Sequence, residues 1–248
     1  MTMEADGRPQ KKPTSPWVYV GCGCAALVLV GLLVLGGLTF LGYRKGKEFT
    51  EGMTDPVKRE ARVKEVLPYQ QLPPGYYPAF AMSMPLGFMD MAMLTDRDLG
   101  TGKARPDQGF EERGFMFMNM RQMKDNKAKM ERFLRGEAPR PDDSQWYQSN
   151  VKFNPKEVIR RGTLTVNGTE ILYSASRGEI QRRHEMDKRG IVTMVMPQCP
   201  HDDRLRFGLW FGPDPSADKP VAEADFAGTN ADPAAMQEFL GHFQLCGK

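Results

Sequence analysis

The stretch EVIRRGTLTVNGTEILYSAS, residues 157–176, contains the clearest folding signal in the chain. Two strand-like segments, 157–166 and 170–176, flank the dipeptide Asn167-Gly168. Asn and Gly both accept a positive φ, which the tight turn of a hairpin requires at its two central positions. The stretch therefore predicts an antiparallel β-hairpin. Asn167-Gly168-Thr169 also matches a glycosylation acceptor, but the turn accounts for these residues without a sugar.

Further strand patterns lie on both sides of this hairpin, and two helical patterns interrupt them. The predicted strands cover 78–84, 88–94, 114–121, 146–153, 191–196 and 205–211, and the predicted helices cover 123–134 and 233–243. Asp232-Pro233 is typical of a helix start, because Asp caps the first turn and Pro fits its first position. Since short turns join the strands, we expect an α+β domain over 75–248, an antiparallel sheet covered by two helices.

Three features of this layout resemble the PsbP-like domain family. Leu72-Pro73-Pro74-Gly75-Tyr76 leads into the first strand, 114–120 is followed by a helix, and the last helix ends in the aromatic Phe243. The resemblance covers most of 72–245 and rests on architecture. It implies a domain that binds or organises other proteins and is not an enzyme, and it assigns no functional residue.

The segment from Trp17 to Tyr43 predicts a single transmembrane helix. Its 27 residues carry no charge, and about 20 apolar residues suffice to cross a bilayer. Aromatic residues stand at both ends, where they favour the headgroup level. The apolar run is too long for a cleaved signal peptide, and it lacks the polar face of a buried core helix. The lipid bilayer is thus an expected partner, with 1–16 as a short polar tail.

Residues 44–74 are first charged and then Pro-rich, and we interpret them as a stalk that holds the domain away from the membrane. Within the stalk, Thr54-Asp55-Pro56 predicts the start of a short helix that ends near Val66. Basic residues flank the apolar run on both sides, and the larger number after it would by itself favour a cytoplasmic domain. We favour an extracytoplasmic domain, because long domains translocate largely regardless of charge.

Charge and motifs exclude several function classes. The chain has 34 Lys and Arg against 31 Asp and Glu, a balance that argues against nucleic acid as the main partner. No serine lies in Gly-x-Ser-x-Gly, and Gly102-Lys103 lacks the other residues of a phosphate loop. The adjacent carboxylates Glu111-Glu112 and Asp202-Asp203 are typical of solvated loops. The sequence therefore assigns no catalytic residue, no cofactor site and no enzymatic activity.

Eight of the 17 methionines lie in three sets of alternating strand positions. The three sets are Met82/Met84, Met89/Met91/Met93 and Met116/Met118/Met120. Since alternate residues of a strand point to one face, each set lines one side of its strand. Thioethers select Cu(I), so the sets fit a copper platform. They also fit a core filled by flexible side chains, which we favour because polar residues occupy the opposite side.

Cys199 and Cys246 are the two cysteines outside the apolar run, and three interpretations of them remain open. If the last helix packs back along the strand before Cys199, the pair can form a disulfide, which closes a 47-residue separation and stabilises by about 3–4 kcal/mol. Free thiols rank second. A zinc site with His201 and His242 ranks third, because Cys199-Pro200-His201 is tighter than the usual finger spacing.

These patterns together predict a single-pass, Met-rich membrane protein of the cell envelope. Its C-terminal domain would be a non-catalytic binding or scaffold module with a protein partner. An envelope protein that handles Cu(I) or zinc is the first alternative, suggested by the methionines and by the Cys and His set. A hydrolase with an unidentified carboxylate site is the second.

Overall fold

The computed structural model describes residues 54–84, 87–101, 110–121, 124–139, 151–182, 188–200 and 202–247. Seven strands and three α-helices lie in these ranges. In chain order they are α1 (Pro56–Val66), β1 (Tyr77–Ser83), β2 (Met89–Thr95), β3 (Gly114–Met120), α2 (Lys124–Arg135), β4 (Val151–Val166), β5 (Thr169–Arg182), β6 (Lys188–Pro197), β7 (Leu205–Pro213) and α3 (Pro233–Gly241), with a 3₁₀ turn at Val221–Glu223. The α+β class and the antiparallel sheet predicted from the sequence are confirmed.

The strands form one sheet in the order β1-β2-β3-β7-β6-β5-β4, and every neighbouring pair is antiparallel. Two meanders, β1 to β3 and β4 to β7, therefore meet at the β3–β7 pair in the centre. The β4–β5 hairpin turns at Asn167 and Gly168, with φ of 50° and 76°. Both values lie in the left-handed region that the Asn-Gly turn predicts.

Strand β4 is longer than the sequence analysis expected. Its 16 residues join the described end of the predicted strand 146–153 to the predicted strand 157–166. The pairing with β5 shifts between Pro155 and Glu157 and again between Val158 and Arg160. Such bulges bend a strand locally, and they let one continuous strand pass through Pro155, which cannot donate to the ladder.

Helices cover both faces of the sheet. On one face, α1 and α3 pack on a core cluster that includes Val63, Leu67, Phe115, Trp210 and Phe239. On the other face, α2 contributes Met130, Phe133 and Leu134 to a second cluster. Three helices thus cover the sheet, one more than expected, because the helix placed in the stalk is part of the folded unit.

The packing of α1 corrects the expected domain boundary at residue 75. Asp55 caps the helix and Pro56 is its first residue, as the sequence predicts. However, Val63 and Leu67 have no exposed surface, and Arg59 is 3% exposed with Nη2 donating to the Gly100 carbonyl at 2.6 Å. The charged composition of this segment suggested an exposed stalk, but one face of the helix is buried. The described part of 44–74 therefore belongs to the α+β unit.

The predicted membrane span, 17–43, lies outside the described residues. Among the helices of the described ranges, none is both long enough and apolar enough to cross a bilayer. The anchor thus stays a prediction from the sequence.

Candidate functional site

One line of side chains crosses the whole sheet on the α2 face. Its members are direct cross-strand partners from β1 to β4, in the order Phe80, Met93, Met116, Leu209, Met194, Ser174 and Arg161. We call this line the transverse row. Its polarity changes along its length, because the first five side chains are apolar, the sixth carries a hydroxyl and the seventh a guanidinium. The polar end lies on β5 and β4.

A cavity of about 260 Å³ lies at this polar end. It forms where Phe133 of α2 approaches the bulged part of β4. Its apolar lining consists of Phe133, Phe153, Pro155, Val158, Val192, Met194 and Leu209, and its polar lining consists of Ser174, Ser176, Lys156, Glu157 and Arg161. Apolar walls with a few placed polar groups are typical of small-molecule sites, and this volume is close to the lower end of their range.

Ser174 supplies a hydroxyl that the fold leaves unused. The residue is 2% exposed, and its Oγ has no hydrogen-bond partner among the described residues. A buried hydroxyl without a partner costs about 1–3 kcal/mol, so folded proteins seldom keep one without a use. Ser176, 8% exposed, lies two residues further on the same side of β5. The cavity lining therefore offers hydrogen bonding that a ligand can satisfy.

Arg161 places a cation beside this hydroxyl. Its guanidinium lies over the Phe133 ring, 5.5 Å from the ring centroid. It also lies at the end of α2, where a Cβ on Gly136 would be 3.3 Å from its Nη1. The negative end of the helix dipole favours a cation there. Within the described part of the chain, no carboxylate pairs with Arg161, whereas its neighbour Lys156 pairs with Glu179 at 3.4 Å.

The opposite face of the first meander carries a second polar line. Ser83, Asp90, Asn119 and Arg206 are successive cross-strand partners on β1, β2, β3 and β7. They line a cavity of about 230 Å³, and Asn119 Oδ1 is buried without a partner. This arrangement agrees with the expectation that polar residues lie opposite the methionines. Arg206 is already engaged, because its Nη2 contacts Asp202 at 2.6 Å and its Nη1 donates to the Leu245 carbonyl at 2.9 Å.

Asp202 has a structural role, because its carboxylate binds Arg204 and Arg206. Burial raises the pKa of its carboxyl, but the backbone N–H of Arg204 and the charges of Arg206 and Arg204 together lower that pKa below its ordinary value. Burial also lowers the pKa of Arg206, against the effect of Asp202. This carboxylate thus holds the loop before β7. The other predicted carboxylate pair, Glu111-Glu112, lies at a loop where both backbone N–H groups bind Asp96.

Cys199 and Cys246 are joined by a disulfide with a Cα–Cα distance of 5.4 Å. This is the pairing that the sequence analysis ranked first, and it ties the segment after β6 to the segment after α3. Thiols joined in this way are not available as zinc ligands. Nδ1 of His242 lies 3.1 Å from the Gln71 carbonyl, and His201 lies outside the described residues. In the described ranges, no three His, Cys, Asp or Glu side chains are grouped to hold a metal.

Seven of the eight methionines in the three sets lie on one face of the sheet, whereas Met84 follows β1 and is 38% exposed. The register places Met89, Met91 and Met93 of β2 opposite Met120, Met118 and Met116 of β3. Met82 of β1 is the partner of Met91. Met93, Met118 and Met120 are buried, while Met82, Met89, Met91 and Met116 are partly buried against the same cluster. The sets therefore form a continuous thioether surface that is part core and part accessible.

Sequence reasoning missed Arg161 and Ser174 as a pair. Arg161 and Ser174 are paired by the unbroken register that runs back from the Asn167-Gly168 turn, and two serines, Ser174 and Ser176, lie on the otherwise apolar side of this strand pattern. The bulges in β4 lie beyond Arg160, towards the N-terminus of the strand, and strand periodicity does not reveal how they shape the cavity.

No protein-family model matches the chain, and no curated protein matches it. The candidate site is therefore defined by its own geometry.

Proposed function

We propose that this chain is a single-pass membrane-anchored protein of the cell envelope whose α+β domain is a non-catalytic binding module. The cavity at the end of the transverse row carries this proposal. It combines an apolar wall, the unpartnered hydroxyl of Ser174 and the guanidinium of Arg161. A resemblance to PsbP-like domains, which mostly bind other proteins, is consistent with a binding role.

The chemistry of the cavity supports binding over catalysis. A serine nucleophile needs an adjacent base within hydrogen-bond reach, and no residue in the described ranges is hydrogen-bonded to Ser174 Oγ. The guanidinium of Arg161 offers hydrogen-bond donors only, so it can orient an anion but supplies no acceptor for the proton of a nucleophile. A hydrolase, the second alternative from the sequence, therefore receives no support from this site.

The disulfide supports the proposed compartment. Disulfides persist in oxidising environments, so the Cys199–Cys246 bond is consistent with a domain outside the cytoplasm. Two measurements test the anchor and the orientation. The full chain should remain in carbonate-washed membranes, while a 44–248 fragment should be released. Impermeant maleimide applied to intact cells should label the two cysteines after reduction only, and labelling without reductant would contradict the proposal.

The binding role can be tested by filling the cavity. Met194→Trp places a larger side chain in the lining, whereas Val57→Trp changes an exposed position on α1. Protein purified from native membranes should carry a co-purifying small molecule, detected by mass spectrometry after extraction. We expect wild type and Val57→Trp to retain the molecule and Met194→Trp to lose it. Equal retention by both variants would place the ligand elsewhere and contradict the proposal.

Cu(I) handling is a second candidate, favoured by one specific observation. Met82, Met91 and Met118 are consecutive cross-strand neighbours on three strands, and two of them are only partly buried. Side chains in such pairs lie about 4.5–5.5 Å apart at Cβ, close enough for three flexible thioethers to converge on a soft ion. Competition against a colorimetric Cu(I) chelator should show one bound ion that Met91→Leu removes and Met84→Leu leaves. Equal binding by Met91→Leu would exclude this site.

A further inference from the structure

We infer that the cavity at the end of the transverse row binds a single-chain amphiphile with an anionic head, of which an alkyl carboxylate is the simplest form. This inference rests on the proposed binding function and names its ligand class. The head group would lie between Arg161 and Ser174, and the alkyl chain would extend along the row towards Met194, Leu209 and Met116.

The head group is specified by two groups that the fold brings side by side. Arg161 and Ser174 are direct cross-strand partners, so their Cβ atoms are about 4.5–5.5 Å apart. The guanidinium presents a planar fork of donors that matches a carboxylate, and the hydroxyl donates one further hydrogen bond. A carboxylate can accept all of these at once. Binding would thereby satisfy the buried hydroxyl and neutralise a cation that no described carboxylate pairs with.

The charges around the cavity favour an anion. Three charged residues line it, Lys156, Glu157 and Arg161. Their net charge is +1, and Lys156 is paired with Glu179 at 3.4 Å. Arg161 is the lining charge that no described carboxylate neutralises. A cationic or neutral head group would leave this guanidinium without a partner in a partly apolar site.

The apolar side chains of the transverse row define the part of the site that would hold the alkyl chain of the ligand. Leu209 is 5% exposed, and Met194 and Met116 are partly buried next to it on β6 and β3. Methionine side chains are unbranched and adapt to the shape of an apolar ligand. A volume of about 260 Å³ suits one short alkyl chain and excludes a two-chain lipid.

Equilibrium dialysis of the full-length protein in nanodiscs tests the inference, with decanoate, decyl phosphate and decanol as probes. Empty nanodiscs measure the partition of each probe into lipid. Arg161→Gln removes the guanidinium. Arg160→Gln is the matched control, because Arg160 directly precedes Arg161 in β4. The charge of Arg160 acts on the pKa of Tyr173, whose ring packs on the opposite face of the sheet. Unchanged unfolding midpoints establish that the variants are folded, and Arg161→Lys tests for partial rescue.

We expect decanoate to bind wild type and Arg160→Gln equally, and Arg161→Gln about tenfold or more weakly, as loss of a charged hydrogen bond implies. Ser174→Ala should weaken decanoate binding by about three- to tenfold. Stronger binding of decyl phosphate would extend the head group to phosphate and support the anionic class. Decanol binding as tight as decanoate would overturn the anionic head while the binding function stands. If no probe binds and Met194→Trp still retains its co-purified molecule, both proposals fail.

Discussion

Trp210 on β7 and Phe239 on α3 stack face to face, with their ring centroids 4.1 Å apart and their planes 9° apart. Phe239 also contacts the rings of Tyr76 and Phe115, at centroid distances of 4.9 and 5.2 Å. The indole Nε1 of Trp210 donates a hydrogen bond of 2.7 Å to Tyr76 Oη. These four aromatic residues join the last helix, the centre of the sheet and the segment before β1.

Replacing Phe239 by Ala should lower the free energy of unfolding by about 3–5 kcal/mol. The substitution would leave a new cavity between rigid aromatic rings, which cannot move far enough to fill it. Phe88→Ala is the matched control, since Phe88 is 48% exposed. Urea unfolding of the full chain in mild detergent, followed by circular dichroism, measures both. A similar loss for the two variants would show that this aromatic cluster is not central to stability.

The sequence predicted the elements that have strong local signals. Asn167-Gly168 determines its hairpin through backbone conformation alone, and Asp232-Pro233 determines the start of α3 through capping. Neither depends on distant contacts. The packing of α1 does depend on distant contacts, because its residues Arg59 and Val63 are buried by parts of the chain that come later in the sequence.

The candidate site could not be predicted in the same way. Each methionine set was assigned to one side of its own strand, but the register between strands decides that all three share a face. The pairing of Arg161 with Ser174 follows from the Asn167-Gly168 turn, but the cavity also needs the bulged part of β4 and Phe133 from a helix between the two meanders. Gly208 shows the same limit, because a Cβ there would lie 2.6 Å from the Phe115 ring, a contact between β7 and β3.

Removal of the disulfide should destabilise the domain and leave its fold unchanged. Cys246→Ser opens a loop with a sequence separation of 47 residues, which costs about 3–4 kcal/mol in the chain-entropy account. Unfolding of wild type with reductant should show the same loss, and Cys246→Ser should not respond to reductant. Cys24→Ser, in the predicted membrane span, is the control. Equal stability of wild type with and without reductant would contradict the expected contribution.

Acid should weaken the loop between β2 and β3 through Asp96. Burial raises the pKa of this carboxyl, but backbone N–H groups of Glu111, Arg113 and Glu112 together lower it below the ordinary value. Its hydrogen bonds to those three groups are each 2.8 Å long. Because the folded pKa is below the unfolded one, the carboxylate stabilises the fold above about pH 4. That stability is lost as the pH falls through the folded pKa.

The variant Asp96→Asn should therefore lower stability at pH 7 and flatten its dependence on pH below about 4. Asp98→Asn is the control from the same loop, because that side chain accepts one backbone hydrogen bond, from Gly100. Unfolding free energies measured from neutral to acid pH give both slopes. An Asp96→Asn slope identical to that of wild type would assign the acid sensitivity to other carboxyls.

The segment after β7 offers a direct comparison between a buried and an exposed ion pair. The side chain of Asp214 is fully buried and contacts Arg177, whose side chain is 10% exposed. Arg177 also donates to the carbonyls of Lys219 and Ser216, at 2.6 and 2.9 Å. Its guanidinium lies over the Phe226 ring, 5.4 Å from the centroid. The pair thus anchors the whole segment to β5.

Asp214→Asn leaves a buried guanidinium without its counter-charge, and we expect the free energy of unfolding to fall by about 3–5 kcal/mol. Asp218→Asn breaks the 3.5 Å pair with Arg189, in which the Asp218 side chain is fully exposed, and should have no measurable effect. The double variant Arg177→Met with Asp214→Leu should recover most of the loss, because it removes both buried charges. Urea unfolding measures all three. If Asp218→Asn cost as much as Asp214→Asn, burial would not be what makes the Arg177 pair matter.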